Sequence, residues 1–565
     1  MRRFHLAALL ASGAALAPVL LAPEARSQPD VVPAEHAVYG LLADARAAGH
    51  LPRYRHEVLP LGRAEVLRHL DSLRARGARG PLAPGVRRWA DAYRRELAPP
   101  PEAVHAWIGD GEAGALDLGA ERFWAYSQSG DGEIGVWGEG GLQARQAEGP
   151  ATDGTPLAPA PTGGVALFPR LVVRGHWRDL VGVHSGTFNG LQVTGDTRVL
   201  QSDPEVASLY YVGIAGQPAG SFDRSSASVR LRSGPFSAEI ANQRLRIGPS
   251  AADPLILSNN ADYFPHVRAG FGRGPVRYQF LHGALGDRAT FTGDDDTFGL
   301  QGPERYLAMH RLEAHTRALS VGFTEMVVYG LRGPELAYLN PLFPIKPAEH
   351  ALWDRDNTLF ALDAVMRPLA GVEVYGTFLA DDINVSRFGE EFGDNTKLAG
   401  QAGASVGGLL PGATLFAEVT RIGPYVYTHR FREGDSYYNS YTHNGFGLGH
   451  PLGPNADQAL AGARVWLPGG LRARGLVRYA RRGENPVDPA SGEVQPVGGD
   501  VRLGREPEPL TNVFLAGDRF EGVGAALDLA WEPVNSLTAR FQLDWQRWDG
   551  APDRLFARLE AHVRL

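Results

Sequence analysis

The chain contains no cysteine. That excludes disulfide bonds, thiolate metal sites, a cysteine nucleophile and a lipid-modified cysteine anchor. Lysine is almost as scarce, with Lys346 and Lys397 alone, so arginine carries the positive charge. No function is read from that bias. The formal net charge of −7 gives no reason to expect nucleic acid as a partner. The phosphate-binding Gly-Lys-Ser and the zinc-binding His-Glu-x-x-His are missing. Beyond the first 22 residues no apolar run approaches the roughly 18 residues of a transmembrane helix.

What is present begins at the N-terminus. Arg2 and Arg3 precede an apolar run from Phe4 to Ala22, and Ala25-Arg26-Ser27 places small residues where a signal peptidase reads. Residues 1–27 are expected to be a secretory signal peptide. The 70 glycines and 41 prolines have no collagen period and fit many turns and loops. A length of 565 residues exceeds one ordinary domain, but a large barrel uses such a length in one closed sheet.

Residues 28–110 carry a helical period. Val38, Leu41, Leu42 and Ala45 form one stripe, with Gly49 as its stop; Val66, Leu67, Leu70 and Leu73 form a second, ended by Gly77. Val86, Trp89, Ala90, Tyr93 and Leu97 form a third before Pro99-Pro100-Pro101. Helices this short, each with one apolar face, are not stable alone. They are expected to pack together and against something larger.

From Ala113 the period becomes two. Arg558, Glu560, His562 and Arg564 alternate with Leu559, Ala561, Val563 and Leu565; Arg311, Glu313, His315 and Arg317 alternate with Leu312, Ala314, Thr316 and Ala318. Alternation alone also fits a soluble sandwich. The connections discriminate further. Counted back from the C-terminus, tight turns such as 367–371, 317–320 and 232–235 alternate with long links near 483–519, 428–456, 382–396, 332–356, 286–304 and 248–262. Only the last hairpin, turning at 549–553, has a short link on the long-link side. Membrane barrels sort their connections into short periplasmic turns and long extracellular loops. The segment Asp356 to Asp382 shows the unit: two strands about as long as the 9–11 residues a tilted strand needs to span a bilayer. Phe360, Leu362, Ala364 and Met366 fall on one face, with Leu359, Ala361 and Asp363 on the other. About fifteen strands fit between Ser221 and the end, and residues 113–220 must supply the remainder of an even total between about 16 and 20.

Several stretches resemble the Wzi-type capsule assembly family. They include Val38-Tyr39-Gly40-Leu41-Leu42, Pro60-Leu61-Gly62-Arg63-Ala64-Glu65-Val66 and the segment Asn242 to Tyr263, where Ile247 stands in place of an expected Trp. The segment Leu339 to Asp382, with Asn340-Pro341, Glu349-His350 and Asp356-Asn357-Thr358, is the most specific match. The resemblance implies a mainly β fold: a closed antiparallel transmembrane β-barrel of 18 strands, residues 111–565, with a periplasmic helical domain over 28–110. It implies an outer-membrane location and a non-catalytic role in binding or anchoring capsular polysaccharide or exopolysaccharide.

Candidate ligand residues lie in two loops. The Pro-rich loop 333–356 carries Phe343, Glu349, His350, Trp353, Asp354 and Arg355, and the loop 427–450 carries Tyr437, Tyr438 and Tyr441. Sugar faces need flat aromatic surface, and hydroxyls need carboxylates, amides and guanidinium groups. The same residues at a barrel mouth also tie loops to the wall. The first loop is long enough to fold inward as a plug. Asp381-Asp382 with Asn384 invites a catalytic or calcium reading, Asp294-Asp295-Asp296 a calcium reading, and His429, His443 and His450 lack helical zinc spacing. All are expected to be structural or solvated, and no metal or cofactor is expected. The expected partners are surface polysaccharide and outer-membrane lipid, with a monomer as the assembly. The alternative function is a substrate-selective porin, since charged strand faces also line water-filled channels.

Overall fold

The computed structural model describes residues 28–77, 82–99, 123–129, 131–148, 162–195, 209–214, 217–286, 304–353, 355–381, 397–429, 438–504, 512–534 and 537–564. The signal-peptide segment, Asp294–Asp296, Asp354, Asp382, Asn384 and Tyr437 lie outside them.

Eighteen strands close into one antiparallel ring. The first half comprises β1 (Gly132–Glu148), β2 (Thr162–Leu167 and Arg170–Trp177), β3 (Val181–Gly195), β4 (Gln217–Ser233), β5 (Phe236–Gln243), β6 (Phe264–Arg273), β7 (Val276–Leu285), β8 (Arg305–His315) and β9 (Leu319–Gly330). The second comprises β10 (Asn357–Leu369), β11 (Val372–Asp381), β12 (Lys397–Gly407), β13 (Ala413–Ile422), β14 (Ala456–Trp466), β15 (Leu471–Glu484), β16 (Asp518–Val534), β17 (Leu537–Trp548) and β18 (Arg554–Arg564). β18 pairs with β1, from Arg564 opposite Glu139 to Leu555 opposite Glu148. The start of β1 pairs instead with the short segment Ala125–Ser129, which lies in line with β18 and adds no strand to the ring. That resolves the parity of the N-terminal third: fifteen strands from β4 onward and three before it.

The alternation sorts as the period of two requires. On β10, Leu362 and Met366 point outward at 54% and 53% exposure, while Leu359, Ala361 and Asp363 point into the barrel and are buried. The outward face therefore presents a belt of exposed apolar side chains, including Leu312, Phe323, Leu362 and Phe378. Inward charges pair across strands. Arg311 meets Asp363 at 2.6 Å and Glu313 at 2.9 Å, with all three side chains at most 3% exposed.

Helices α1 (Val38–Ala47), α2 (Arg63–Gly77) and α3 (Pro84–Leu97) occupy the stretches the stripes predict. They bury a common core with Trp466 from the end of β14. Gly85 allows this approach, because a Cβ there would sit 1.9 Å from the Trp466 carbonyl oxygen. The helices lie at the short-turn end, held by Arg46 to Glu373 (2.8 Å), Glu65 to Arg277 (2.6 Å) and Arg88 to the Glu532 carbonyl (2.8 Å). Burial alone would raise the Glu65 carboxyl, but Arg277 outweighs it and brings the group down to about 2. Arg46 likewise overcomes burial at Glu57 and holds that carboxyl well below the usual range.

Residues 244–263, the long link between β5 and β6, run inside the barrel. Val58 and Leu59 pair antiparallel with Ile247 and Arg246, and Ile247 also bridges to Leu257. Gly248, at φ 109°, makes the turn and donates its N–H to the Glu57 carbonyl over 2.8 Å. Backbone crossing a lumen must find partners, and here the helical segment and the plug supply them to each other. Leu255, Ile256 and Leu257 pack against Leu281, Leu307, Met309, Met326, Leu359 and Leu379 of the wall. Tyr427 and Tyr441 cap the plug, donating their hydroxyls to the carbonyls of Leu255 and Ile256, each at 2.7 Å.

The lumen plug is therefore 244–263 and not the Pro-rich loop 333–356. That loop folds outward. Its helices α4 (Leu336–Leu339) and α5 (Ile345–Ala351) lie on the outer wall, where Tyr338, Ile345 and Ala348 pack against Ala308, Val327 and Tyr329.

Candidate functional site in the lumen

The described residues among those singled out in the two loops do not converge on one surface. Phe343 and Trp353 sit on the external flap, 39% and 91% exposed. Glu349 is buried beneath the flap and pairs with Lys346 at 2.6 Å, while His350 is exposed on it. Arg355 is exposed and its backbone carbonyl accepts the Asn439 amide at 2.7 Å, which ties the two loops together. Tyr438 is buried, with its carbonyl bound by Arg305 at 2.6 Å. Tyr441 is fully buried, so its ring belongs to the cap. The acids flanking the Asp356–Asp382 hairpin act as anchors. Asp356 takes Arg332 and the Tyr338 hydroxyl (2.8 Å), and Asp381 accepts the Tyr427 N–H.

The loop histidines are also tied to the cap. His443 accepts the Gly286 N–H at 2.9 Å, and His450 accepts the Leu452 N–H at 3.1 Å. Burial lowers both to about 4, so they are neutral at ordinary pH. The stretch Gly403-Ala404-Ser405-Val406-Gly407 has the spacing of a hydrolase nucleophile elbow. It lies within β12, paired in register with β13, and Ser405 is 4% exposed. An elbow needs a sharp strand-to-helix turn that lifts the serine clear, and none is there.

A cavity of about 290 Å³ lies between the helices, the plug and the wall, lined by residues including Arg46, Glu57, Arg246, Glu373, Tyr375 and Arg464. Much of its charge is internally paired: Arg46 with Glu57 at 2.6 Å, and Arg464 with Asp44 at 2.8 Å.

The lumen wall on the other side is different. The apolar tip of the plug packs on β6 to β13, and its Ala251 carbonyl also accepts from Arg464 of β14 and Arg474 of β15, whereas the rest of the wall from β15 to β18 and on to β1 and β2 carries a polar ladder. Near the mouth Arg478 meets Asp544 at 2.6 Å, and Gln546 donates to Asp544 at 2.9 Å. Asp528 takes Arg540 and Gln542. Arg558 donates to Gln542 at 2.8 Å, Gln143 to Glu560 at 2.8 Å, and Arg170 to Glu139 at 3.3 Å. The Arg478 and Asp544 side chains are 21% and 31% exposed, against 1% and 2% for Arg311 and Asp363 beside the plug.

Trp548 closes the top of this ladder. Its ring covers Gly522, where a Cβ would come within 2.6 Å of it, and Arg482 stands over it at 5.6 Å. Its Nε1–H donates to Gln546 at 3.3 Å. The link from β17 to β18 is short, so that link forms no long loop over this rim. An aromatic plane beside part-exposed guanidinium, carboxylate and amide groups offers a stacking face and hydrogen bonds together. The sequence reading missed these residues. The signal was available: Gln546 and Trp548 continue the inward phase of Arg540, Gln542 and Asp544, beside the one short link at 549–553.

The family model described as capsule assembly protein Wzi matches residues 197–535. Among solved structures, the chain is similar to Wzi of Escherichia coli, described as an outer membrane protein involved in group 1 capsule assembly and a carbohydrate-binding β-barrel. The identity is 14%, the TM-score is 0.56, and the match covers 94% of this chain and 99% of that one. OpdK of Pseudomonas aeruginosa with vanillate aligns at 13% identity and TM-score 0.42, over 76% of this chain and 98% of that one. OprD of Pseudomonas aeruginosa aligns at 13% and 0.40, over 76% and 95%. No curated protein matches.

Proposed function

We propose, from the premise that the chain belongs to the capsule assembly protein Wzi family, that it holds capsular polysaccharide or exopolysaccharide at the cell surface without catalysing a reaction on it. The observation that carries this reading is the part-solvated end of the polar ladder, Arg478, Asp544 and Gln546 beside Trp548, on the wall away from the apolar tip of the plug. In this reading the barrel sits in the outer membrane as a monomer, with the helices and short turns on the periplasmic side and the mouth facing outward. Sugar hydroxyls exchange hydrogen bonds with Arg478, Asp544 and Gln546, and a sugar face lies on the Trp548 ring. The described ladder carboxylates face arginine or glutamine, so among the described residues the wall offers fixed hydrogen bonds and no unengaged acid pair for hydrolysis. Exposed Phe343, His350, Trp353 and Arg355 on the external flap are a separate surface and are not counted in this contact.

Deleting the gene tests the role. Cell-bound glycan is expected to fall and to appear in the medium; unchanged cell-bound glycan sinks the reading. A second reading, a substrate-selective porin, draws on the same solvated ladder. Planar-bilayer recordings separate the two: a large steady conductance favours the porin, and silence favours the plugged binder.

A further inference from the structure

The outward face of β7 to β9 changes character halfway along its length. Toward the short-turn end Leu312 and Phe323 are 51% and 45% exposed, as the rest of the apolar belt is. Toward the long-loop end Phe280, Ala308, Val327 and Tyr329 fall to between 0% and 6%. The flap of residues 331–353 covers Ala308, Val327 and Tyr329.

Polar contacts fix it there. The Ile345 N–H donates to Glu325 at 3.2 Å, and Glu325 meets His310 at 2.9 Å on the same outward face. The Glu335 N–H donates to the Tyr329 hydroxyl at 2.9 Å, and the Tyr278 hydroxyl reaches the Pro341 carbonyl. Pro334, Pro341, Pro344 and Pro347 remove four N–H donors from a short segment. α5 and the contacts to the wall satisfy others. Backbone with few unmet donors is what an apolar surrounding tolerates.

The far side of the flap carries large apolar side chains alongside exposed Asn340 and His350. Leu336 is 80% exposed, Leu342 86% and Trp353 91%, with Phe343 at 39%. Water is a poor surrounding for four such side chains on one segment. They stand on the same outer wall as the apolar belt of Leu312, Phe323 and Leu362, at its long-loop end.

We propose that the flap is embedded in the membrane leaflet on the long-loop side, where lipid acyl chains cover Leu336, Leu342 and Phe343 and Trp353 sits at the interface. Continuity with the belt commits the surface to lipid over a second copy or a soluble protein. The flap thus acts as a hydrophobic anchor laid against the barrel, and Trp353 takes the interfacial position that tryptophan favours. The inference rests on the membrane placement of the barrel.

The absence of cysteine makes the test direct. Nitroxide labels go on L342C, W353C, the belt position L362C and the short-turn position L410C, in vesicles of phosphatidylethanolamine and phosphatidylglycerol. Labels at Leu342 and Leu362 are expected to collide severalfold more with oxygen than with a water-soluble nickel chelate, the reverse of Leu410. The Trp353 label is expected between them. Nickel access at Leu342 equal to that at Leu410, with Leu362 still lipid-like, overturns the flap proposal and leaves the membrane reading standing. Nickel access at Leu362 as well defeats the membrane reading itself. Spin–spin broadening at Leu342, with neither quencher admitted, points to a second copy and also overturns the proposal.

Discussion

Leu59 and Arg246 are β-partners inside the barrel, although one belongs to the helical segment and the other to the link between β5 and β6. That pairing makes the plug and the helices a single obstruction. Replacing residues 249–256 by two glycines removes the apolar tip while keeping the strands on either side. Conductance in planar bilayers is expected to rise above that of the intact chain. An unchanged trace means that these residues do not occlude the lumen.

Arg311 pairs with both Asp363 and Glu313 inside the barrel. Removing a buried guanidinium strands its carboxylates in a low dielectric, at a cost of about 3–5 kcal/mol. Arg311→Ala is expected to lower the unfolding free energy of the refolded barrel, measured by denaturant titration, by that much. Replacing Arg478 is expected to cost under about 1 kcal/mol, because its pair with Asp544 is part-solvated. Equal losses at the two sites contradict the division of the lumen into a dry and a wet half.

Trp548→Ala removes the stacking face without touching the plug. Loss of an aromatic contact worth about 0.5–1.5 kcal/mol corresponds to an affinity fall of up to roughly tenfold. Equilibrium binding of the cell's own surface glycan to the purified barrel measures it. Tyr441→Phe is the contrast: it removes a buried hydroxyl from the cap and is expected to cost about 1 kcal/mol of stability with binding unchanged. Weaker binding in the Tyr441 variant alone places the contact in the cap.

Acid is expected to act in two stages. His443 and His450 have folded values of about 4, below the ordinary 6.5, so the folded state binds fewer protons than the unfolded one between those limits. Their stabilising contribution is complete above pH 6.5 and is lost as pH falls toward 4, by about 1.4 kcal/mol per unit for each at most. Glu65, depressed to about 2 from 4.5, keeps its contribution above pH 4.5 and loses it below. Hydrogen exchange should therefore show residues 438–450 loosening first and the α2 contact with β7 later. Helix release before the cap loosens contradicts this order.

Much of the fold was legible locally. The heptad-like stripes ending at Gly49 and Gly77 marked α1 and α2, and the Arg558–Glu560–His562 alternation marked the inward face of β18. Sorted loop lengths marked a barrel with two unlike ends. The candidate site was less legible. Tyr438 and Tyr441 look like a ligand surface because aromatics in a long loop are usually exposed, yet the cap takes both into the core. Trp548 was passed over because it stands beside a short turn, where no loop drew attention to it.

By itself the sequence determined the strands from β4 onward, their inward and outward faces, and the mixing of unlike charges on the inward face, because side-chain direction alternates with a period of two set by the local backbone; the three strands before β4 and the total of eighteen came from the structure. Nor did the sequence determine which long link fills the lumen. The links 244–263 and 331–356 leave the same end of the barrel, and both are rich in proline and polar residues. One turns inward because Val58, Leu59 and the Glu57 carbonyl await its backbone; the other turns outward because Glu325 and Tyr329 hold it on the outer wall. Those partners are distant in the chain or on another strand, so only tertiary structure could decide the direction.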